Sequence, residues 1–208
     1  PRLAATYSKQ SPIIDGRLDD LAWGLASPSS SFIQKFPKQA TPPSELTRVR
    51  VLYDKSTIYI GIHCFQEHAP VVARLARRDQ PVESDWVQIN IDTKNSGTSA
   101  YLFSVNAAGV MGDGIRFNNT EYSAEWDEIW DARVARLSNG WSAEIAIPLQ
   151  ALQFDSQDVQ DWGFQVRRYT SARQEVDEWS YISRTAAGEV SHYGRLTNLA
   201  GLRHNFAV

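Results

Sequence analysis

Alternation of apolar and polar residues dominates the pattern of this chain. Residues 47–53 alternate charged and apolar side chains, and the three isoleucines of the run 58–65 point to the face opposite its aromatic residues. The same period of two predicts further strands over 85–92, 99–106, 130–137, 141–147, 162–169 and 178–183. Strands of this kind are half buried, so each one places an apolar face against a core.

Turn residues separate these segments and set their connections. Residues 93–97 and Ser138-Asn139-Gly140 have the composition of hairpin turns, because an Asn-Gly pair readily takes positive φ. The short Gly112-Asp113-Gly114 run is interpreted as another turn. These connections are too short for crossover helices, which excludes a parallel α/β architecture.

Helical signals are few. One short helix is expected, with Asp19 as its cap, an apolar face of Leu21, Ala22 and Leu25, and Pro28 at its end. Residues 71–78 form either a second helical turn or a curled strand. We therefore predict an all-β fold: a jelly-roll-like β-sandwich of two antiparallel sheets with one or two short helices, in a single domain spanning 1–208.

The composition of the chain excludes several classes of function but says less about the fold. The 208 residues include 21 Lys and Arg against 24 Asp and Glu, a net charge of −3, which argues against a nucleic-acid partner. Cys64 is the single cysteine, so neither an intrachain disulfide nor a cysteine-based metal site can form. The longest apolar run is strand-sized, and the 7 Trp, 8 Tyr and 8 Phe suit a β protein. The chain starts at Pro1 without a basic-then-apolar leader, which indicates a processed or excised segment.

Carboxylates offer two kinds of chemistry. Residues 121–131 crowd five of them around Trp126 and Trp130, but a glycosidase needs two carboxylates facing each other at a defined separation, which a local cluster does not supply. We therefore predict no catalysis. Calcium prefers such oxygen ligands, and Asp92, Asp113 and Asp127 lie at predicted strand ends or turns. A structural calcium on these three is one hypothesis, and the alternative is that each aspartate starts a turn.

Haem binding has little support. The histidines at 63, 68, 192 and 204 are widely spaced, and Met111 with His63 or His192 is the one possible axial pair. Packing in the core is the favoured role for Met111.

Polar faces of the strands carry a stronger functional signal. Trp86, Gln88 and Asn90 share one face of their strand, as Gln165 and Arg167 do on another. If these faces belong to one sheet, they form a surface of amides, a guanidinium group and aromatic rings. Sugars need that combination, although a plain solvent-facing sheet has a similar pattern.

Several segments resemble, in order, the motifs of family-9 carbohydrate-binding modules. Pro12-Ile13-Ile14-Asp15-Gly16-Arg17-Leu18-Asp19-Asp20-Leu21-Ala22-Trp23 resembles the opening motif, and Gly140-Trp141-Ser142-Ala143-Glu144-Ile145-Ala146-Ile147-Pro148 resembles the most characteristic one. The other matching segments are 49–54, 58–61, 85–92, 101–109, 162–168, 178–179 and 193–196. The Arg167-Arg168 and Glu178-Trp179 variants are most similar to a subgroup at the N-terminus of large bacterial envelope proteins.

The resemblance implies a non-catalytic, carbohydrate-binding β-sandwich that is secreted, periplasmic or attached to the cell surface. Family members bind sugar-chain ends between two tryptophan rings and often hold calcium. Here Trp179 matches the late tryptophan, while Arg77-Arg78-Asp79-Gln80-Pro81 stands where the early one is expected. Glu144 is expected to brace Arg167 or Arg168.

We therefore predict a module that recognises a glycan at the bacterial cell envelope. The predicted ligand-binding residues combine tryptophan rings for stacking with charged groups for hydroxyls: Arg77, Asp79, Asp85, Trp86, Arg167 and Trp179. The alternative is an accessory domain of an outer-membrane β-barrel protein, attached through its C-terminus and binding no sugar.

Overall fold

The computed structural model of the protein describes residues 1–203 and arranges them in two facing β-sheets. His204 therefore lies outside the described residues. The nine-stranded sheet consists of β1 (Arg2–Ala4), β3 (Ile33–Phe36), β6 (Trp86–Asp92), β7 (Ala100–Asn106), β8 (Met111–Phe117), β9 (Glu121–Ser123), β12 (Val159–Thr170), β13 (Glu175–Glu178) and β14 (Gly194–Ala200). The five-stranded sheet consists of β2 (Thr6–Tyr7), β4 (Thr47–Tyr53), β5 (Thr57–Phe65), β10 (Asp131–Leu137) and β11 (Gly140–Pro148).

The order of strands confirms the predicted sandwich. The larger sheet runs β1-β14-β12-β6-β7-β8-β9, with β13 paired to β12 and β3, and the smaller sheet runs β10-β11-β5-β4-β2. Neighbouring strands are antiparallel except for two short parallel pairs, β1 with β14 and β2 with β4. These two pairs place the first seven residues at edges of both sheets, since β1 belongs to one sheet and β2 to the other.

The core lies between the sheets and follows from the period-two pattern. The register of β5 on β11 sets Ile60 opposite Ile145, and both side chains are fully buried. Val87 and Ile89 of β6 face the same core from the other sheet. Burying an aliphatic side chain of this size stabilises the fold by about 1.5–3 kcal/mol.

A smaller cluster covers part of the outer face of the five-stranded sheet. Trp23 packs there with Leu52 and Tyr59. Its indole nitrogen donates to Glu144 Oε1 at 2.7 Å, while the backbone nitrogens of Asp15 and Gly16 each donate to Oε2 at 2.8 Å. The expectation that Glu144 braces Arg167 or Arg168 is therefore wrong. Burial raises the pKa of Glu144 in spite of these three donors.

The prediction for the helix is also wrong, both in the type of helix and in the side chains that face the core. Residues Leu21–Leu25 form a single 3₁₀ turn, whose preceding residue Asp20 makes no side-chain cap. Leu21 and Leu25 are 91% and 63% exposed, whereas Ala22 and Trp23 point inward, since three residues per turn rotate the apolar face differently from an α-helix. Three more 3₁₀ turns span Leu149–Ala151, Ser171–Arg173 and Val190–His192. No helix in the described part of the chain has the length and apolar character that crossing a bilayer requires.

Two further local predictions are corrected. Residues 71–78 form neither a helical turn nor a strand, and the strand expected at 178–183 lies earlier, as β13. The Gly112-Asp113-Gly114 run is not a turn, because it lies within β8. Both hairpin predictions, at 93–97 and at 138–140, are confirmed by the antiparallel pairs β6–β7 and β10–β11.

Arg168 connects the two sheets at one end of the core. It extends from β12 and is fully buried, and its guanidinium donates four hydrogen bonds to the start of β4 and the end of β5. The acceptors are Leu46 O at 3.0 Å, Thr47 Oγ1 at 3.0 Å, Phe65 O at 2.7 Å and Gln66 Oε1 at 2.9 Å.

Asp177 lies opposite Arg168, on β13, in an unusual environment. It is 1% exposed, and neither of its carboxylate oxygens has a hydrogen-bond partner among residues 1–203. Burial, together with the neighbouring charge of Glu175, raises the pKa of Asp177 to about 8. The charged carboxylate therefore destabilises the folded protein.

We expect Asp177→Asn to stabilise the protein, and more so at high pH. An aspartate in the unfolded chain titrates near 4, so the folded state loses stability as the pH rises from about 4 to about 8, and the amide escapes this loss. Thermal unfolding should show a gain of several degrees at pH 8.5 and a much smaller one at pH 4.5. Asp161→Asn, at an exposed position of β12, is the control and should show no such trend. An equal gain in melting temperature at both pH values would contradict the raised pKa of Asp177.

Candidate functional site

A groove of about 430 Å³ lies on the outer face of the nine-stranded sheet, across β6, β7 and β8. Its floor is formed by Trp86 and Gln88 of β6, with Leu102 and Ser104 of β7 beside them. Residues 79–82 form one wall. Tyr122 of β9 and Ala124 form part of the lining beyond β8.

The strand register explains why polar side chains line this floor. Gln88 lies opposite Arg167 on β12 and opposite Ser104 on β7, and Ser104 lies opposite Gly112 on β8. The polar faces of β6 and β12 therefore belong to one sheet, which is the condition for a continuous polar surface on these strands. The amide nitrogen of Gln88 has no protein partner within 1–203, so it is a free donor in the groove.

Only one end of this polar face is open. At the other end Asn90 and Gln165 are fully buried, and Gln165 exchanges hydrogen bonds with the backbone of Ser180. The segment 180–193 thus covers that end, and Glu189 within it forms an ion pair with Arg167. The groove is the part of the face that this segment leaves uncovered.

Two glycines of β8 allow the lining residues to approach. A Cβ atom at Gly114 would lie 2.6 Å from the ring of Tyr122, so the absence of a side chain lets that ring lie over β8. A Cβ atom at Gly112 would lie 3.1 Å from Ser104 Oγ and 3.4 Å from Asp79 Oδ1. Sequence reasoning missed Tyr122, and the signal that could have identified it is this Gly-x-Gly pattern inside a strand.

The wall at 79–82 is fixed by Asp79, whose φ of +61° is tolerated by aspartate more readily than by most residues. Its backbone nitrogen donates to Met111 O at 3.1 Å, and its Oδ1 accepts from the backbone nitrogen of Asp113 at 3.1 Å. The neighbouring Arg78 donates to Asp113 Oδ1 at 2.7 Å and to Asp127 Oδ1 at 3.1 Å. The loop is thereby held against β8 before any ligand arrives.

Two aromatic rings are available to a ligand. Trp86 is half-buried and stacks on Tyr169, with ring centroids 5.5 Å apart and an angle of 27° between the planes. Tyr122 is 49% exposed, and burial of the remainder raises its pKa. The lining therefore offers two ring surfaces with an amide donor and hydroxyl and carboxylate groups.

The predicted ligand-binding residues divide into two sets. Trp86 and Asp79 line the groove, and Arg77 is exposed on the adjoining loop without lining it. Asp85 is fully buried and accepts hydrogen bonds from Gln66 Nε2, Val72 N and Ser171 N, and burial raises its pKa. The prediction that Asp85 contacts the ligand is therefore wrong, because its carboxylate is buried and bonded within the protein.

Trp179 and Arg167 are likewise not on the binding surface. Trp179 is 1% exposed, packs edge to face on Phe164 at 5.5 Å, and donates through Nε1 to Ser29 Oγ at 2.8 Å. Arg167 is buried between two carboxylates, those of Glu178 and Glu189. Neither side chain reaches the groove, because the ladder partner β13 and the segment 180–193 enclose them.

The three predicted calcium ligands do not converge. Asp113 and Asp127 both contact Arg78, a cation, while Asp92 accepts from the backbone nitrogens of Lys94 and Gly97 and so closes the β6–β7 hairpin turn. Within residues 1–203, no group of three or more His, Cys, Asp or Glu side chains is placed to hold a metal ion. Calcium binding stays a prediction.

Residues named for other chemistry have ordinary surroundings. Trp126 and Trp130 of the acidic stretch pack against Phe103, with centroids 5.6 and 5.2 Å away. Met111 lies in β8 of one sheet and His63 in β5 of the other, so this pair cannot ligate one haem.

The sequence and the structure of the chain are similar to those of known carbohydrate-binding proteins. Residues 14–200 match the family model described as carbohydrate family 9 binding domain-like. A family 9 carbohydrate-binding module from Caldicellulosiruptor kristjanssonii, solved in complex with cellotriose, is 17% identical over 100% of this chain and 97% of its own, with a TM-score of 0.66. A structure of a family 9 module from the same organism in complex with glucose is also 17% identical, over 100% of both chains, with a TM-score of 0.67. A candidate carbohydrate-binding protein from Bacteroides uniformis ATCC 8492 is 16% identical over 94% and 98% of the two chains, with a TM-score of 0.68. No curated protein matches the sequence significantly.

Proposed function

Because the chain belongs to the carbohydrate family 9 binding domain-like family, we propose that it binds a neutral glycan in the groove over β6, β7 and β8. Membership makes the chain a non-catalytic carbohydrate-binding module. The finer proposal concerns the ligand and the residues that hold it.

The observation that carries the proposal is the pair of accessible rings in one groove. Trp86 in the floor and Tyr122 in the lining offer flat apolar surfaces, on which the apolar faces of a sugar ring can stack. The Gln88 amide and the Ser104 hydroxyl lie in the same lining and suit sugar hydroxyls. A volume of about 430 Å³ is in the range of small-ligand sites.

The charges of the lining favour a neutral sugar over an acidic one. Asp79 and Asp113 are the ionisable acids of the lining, and both contact Arg78, which also contacts Asp127. Three carboxylates around one guanidinium leave the local charge negative, which repels uronic acids. The structurally similar module from Caldicellulosiruptor kristjanssonii was solved with cellotriose and with glucose, both neutral.

Titration of the protein with glucose and with cellotriose, monitored by calorimetry and by tryptophan fluorescence, tests this proposal. We expect Trp86→Ala to weaken binding at least tenfold, which corresponds to about 1.4 kcal/mol, because the ring in the floor of the groove is removed. Tyr122→Ala should weaken it to a smaller extent. Tyr7→Ala is the matched control, since Tyr7 is an exposed aromatic residue on β2 of the other sheet and should leave affinity unchanged.

A wild-type protein that responds to no neutral sugar would overturn the proposal, as would equal losses in the Trp86 and Tyr7 variants. Action at the bacterial cell envelope, and the alternative role as an accessory domain of a membrane protein, stay predictions from the sequence.

A further inference from the structure

A group of basic and aromatic side chains lies on the opposite side of the sandwich, on the outer face of the five-stranded sheet. We name it the basic patch and define it as Arg48 and Arg50 of β4 with His63 and Phe65 of β5. Arg48 lies directly opposite His63 in the ladder. Alternation assigns the patch to the outer face, because the intervening Val49 and Cys64 are fully buried in the core.

The positive charges of the basic patch are not neutralised. Within residues 1–203, neither Arg48 nor Arg50 forms an ion pair, although the chain as a whole has an excess of acidic residues. Burial lowers the pKa of Arg50, and the charge of Arg48 lowers it further. Burial likewise lowers the pKa of His63, with both arginines adding to the effect. The groups are thus close enough to repel one another.

Carboxylates of the neighbouring strands do not relieve this repulsion. Glu144 of β11 lies on the same face, but it is fully buried beneath Trp23 and accepts hydrogen bonds from three donors there. Asp131 of β10 pairs with Arg133 of the same strand. An anion from outside the chain would therefore meet two unpaired guanidinium groups.

The basic side chains are already positioned. The guanidinium carbon of Arg48 lies 5.0 Å from the centroid of the Phe65 ring, and the ring of His63 stacks on Phe65 at 3.8 Å and 13°. Arg50 Nε donates to Ala26 O at 3.2 Å. Because these contacts restrict the side chains before binding, less entropy is lost when a ligand is captured.

We propose that the basic patch is a second binding site, which takes the carboxylate groups of an acidic glycan. A guanidinium fork matches a carboxylate with two parallel hydrogen bonds. Arg48 and Arg50 stand two residues apart on one strand, about 7 Å along its axis, and so form a row suited to a chain with repeated carboxylates. A lipid surface fits less well, because membrane binding adds an inserted apolar group and Phe65 is half-buried under Arg48.

Oligogalacturonate is the probe, titrated by calorimetry at low ionic strength. We expect binding that the double variant Arg48→Gln/Arg50→Gln weakens at least tenfold. The control Arg133→Gln/Arg136→Gln removes two positive charges from β10 of the same sheet and should leave affinity within about twofold. Methyl-esterified oligogalacturonate, which lacks the carboxylates, should not bind at this surface.

The outcomes separate this inference from the groove. Trp86→Ala should leave oligogalacturonate binding unchanged, and the double arginine variant should leave cellotriose binding unchanged. No binding of oligogalacturonate, or equal losses in the two double variants, would overturn the inference. Binding to vesicles of anionic phospholipid without binding to oligogalacturonate would also overturn it.

Discussion

Replacing Glu144 with alanine should lower the free energy of unfolding by about 3–5 kcal/mol. The side chain is fully buried and accepts three hydrogen bonds, from the backbone nitrogens of Asp15 and Gly16 and from the indole of Trp23. Alanine leaves these donors without an acceptor, and each buried unsatisfied group costs about 1–3 kcal/mol. The segment around Trp23 should consequently detach from the five-stranded sheet.

Urea unfolding measures this loss, and Glu144→Gln is the matched control. Glutamine keeps the shape and one acceptor oxygen, which can serve Asp15 and Gly16, but its amide group faces the indole nitrogen of Trp23 as a second donor. We expect it to lose about 1–3 kcal/mol, less than alanine loses. A free energy of unfolding for Glu144→Ala within about 1 kcal/mol of the wild-type value, which is the net contribution of a single hydrogen bond, would contradict the role assigned to this carboxylate.

Arg168→Met should have an effect of similar size for a different reason. The substitution removes all four hydrogen bonds between β12 and the ends of β4 and β5, and leaves carbonyl oxygens and the Gln66 amide without their donor. It also removes the cation that faces Asp177, whose carboxylate has no hydrogen-bond partner within the described residues. We expect a loss of about 3–5 kcal/mol at pH 8.5, where the Asp177 carboxyl, with a pKa raised to about 8, is mostly charged.

A double-mutant cycle separates the two parts of that loss. In the Asp177→Asn background, Arg168→Met should cost less than in the wild type, because no buried carboxylate then depends on the arginine. Urea unfolding at pH 8.5 gives the four free energies. Equal costs of Arg168→Met in both backgrounds would show that Arg168 acts only through its hydrogen bonds to β4 and β5.

The pattern of the sequence was sufficient for the two-sheet fold and for about half of the strands, whereas β1, β2, β3, β9 and β14 were not predicted. Alternation identified β4–β7 and β10–β12 closely, because each presents one buried face. It did not identify β8, since Gly112 and Gly114 interrupt the pattern where other residues approach the strand. It also mistook a 3₁₀ turn for a helix, because Leu21 and Leu25 are apolar yet exposed.

The candidate site was predictable only in part. Alternation correctly placed Trp86 and Gln88 on one face, but it could not show that residues 180–193 cover the far end of that face and leave Arg167 enclosed. Trp179 follows a polar residue in a matching motif, and nothing in the sequence indicates that its ring turns into the core beside Phe164. Tyr122 was missed because its contribution depends on the gap that Gly114 leaves.

The first seven residues have a mechanical consequence. β1 runs parallel to β14, and β2 runs parallel to β4, so the two sheets are each held at an edge by the same short stretch of chain. If the chain is pulled at Arg2 and Ala200, the ends of β1 and β14 move in opposite directions along the strands, and the hydrogen bonds between them are loaded together rather than one after another. Tension along the polypeptide is therefore carried in shear, the geometry in which a pair of strands resists separation best, while the groove begins at β6, which β12 separates from the loaded pair.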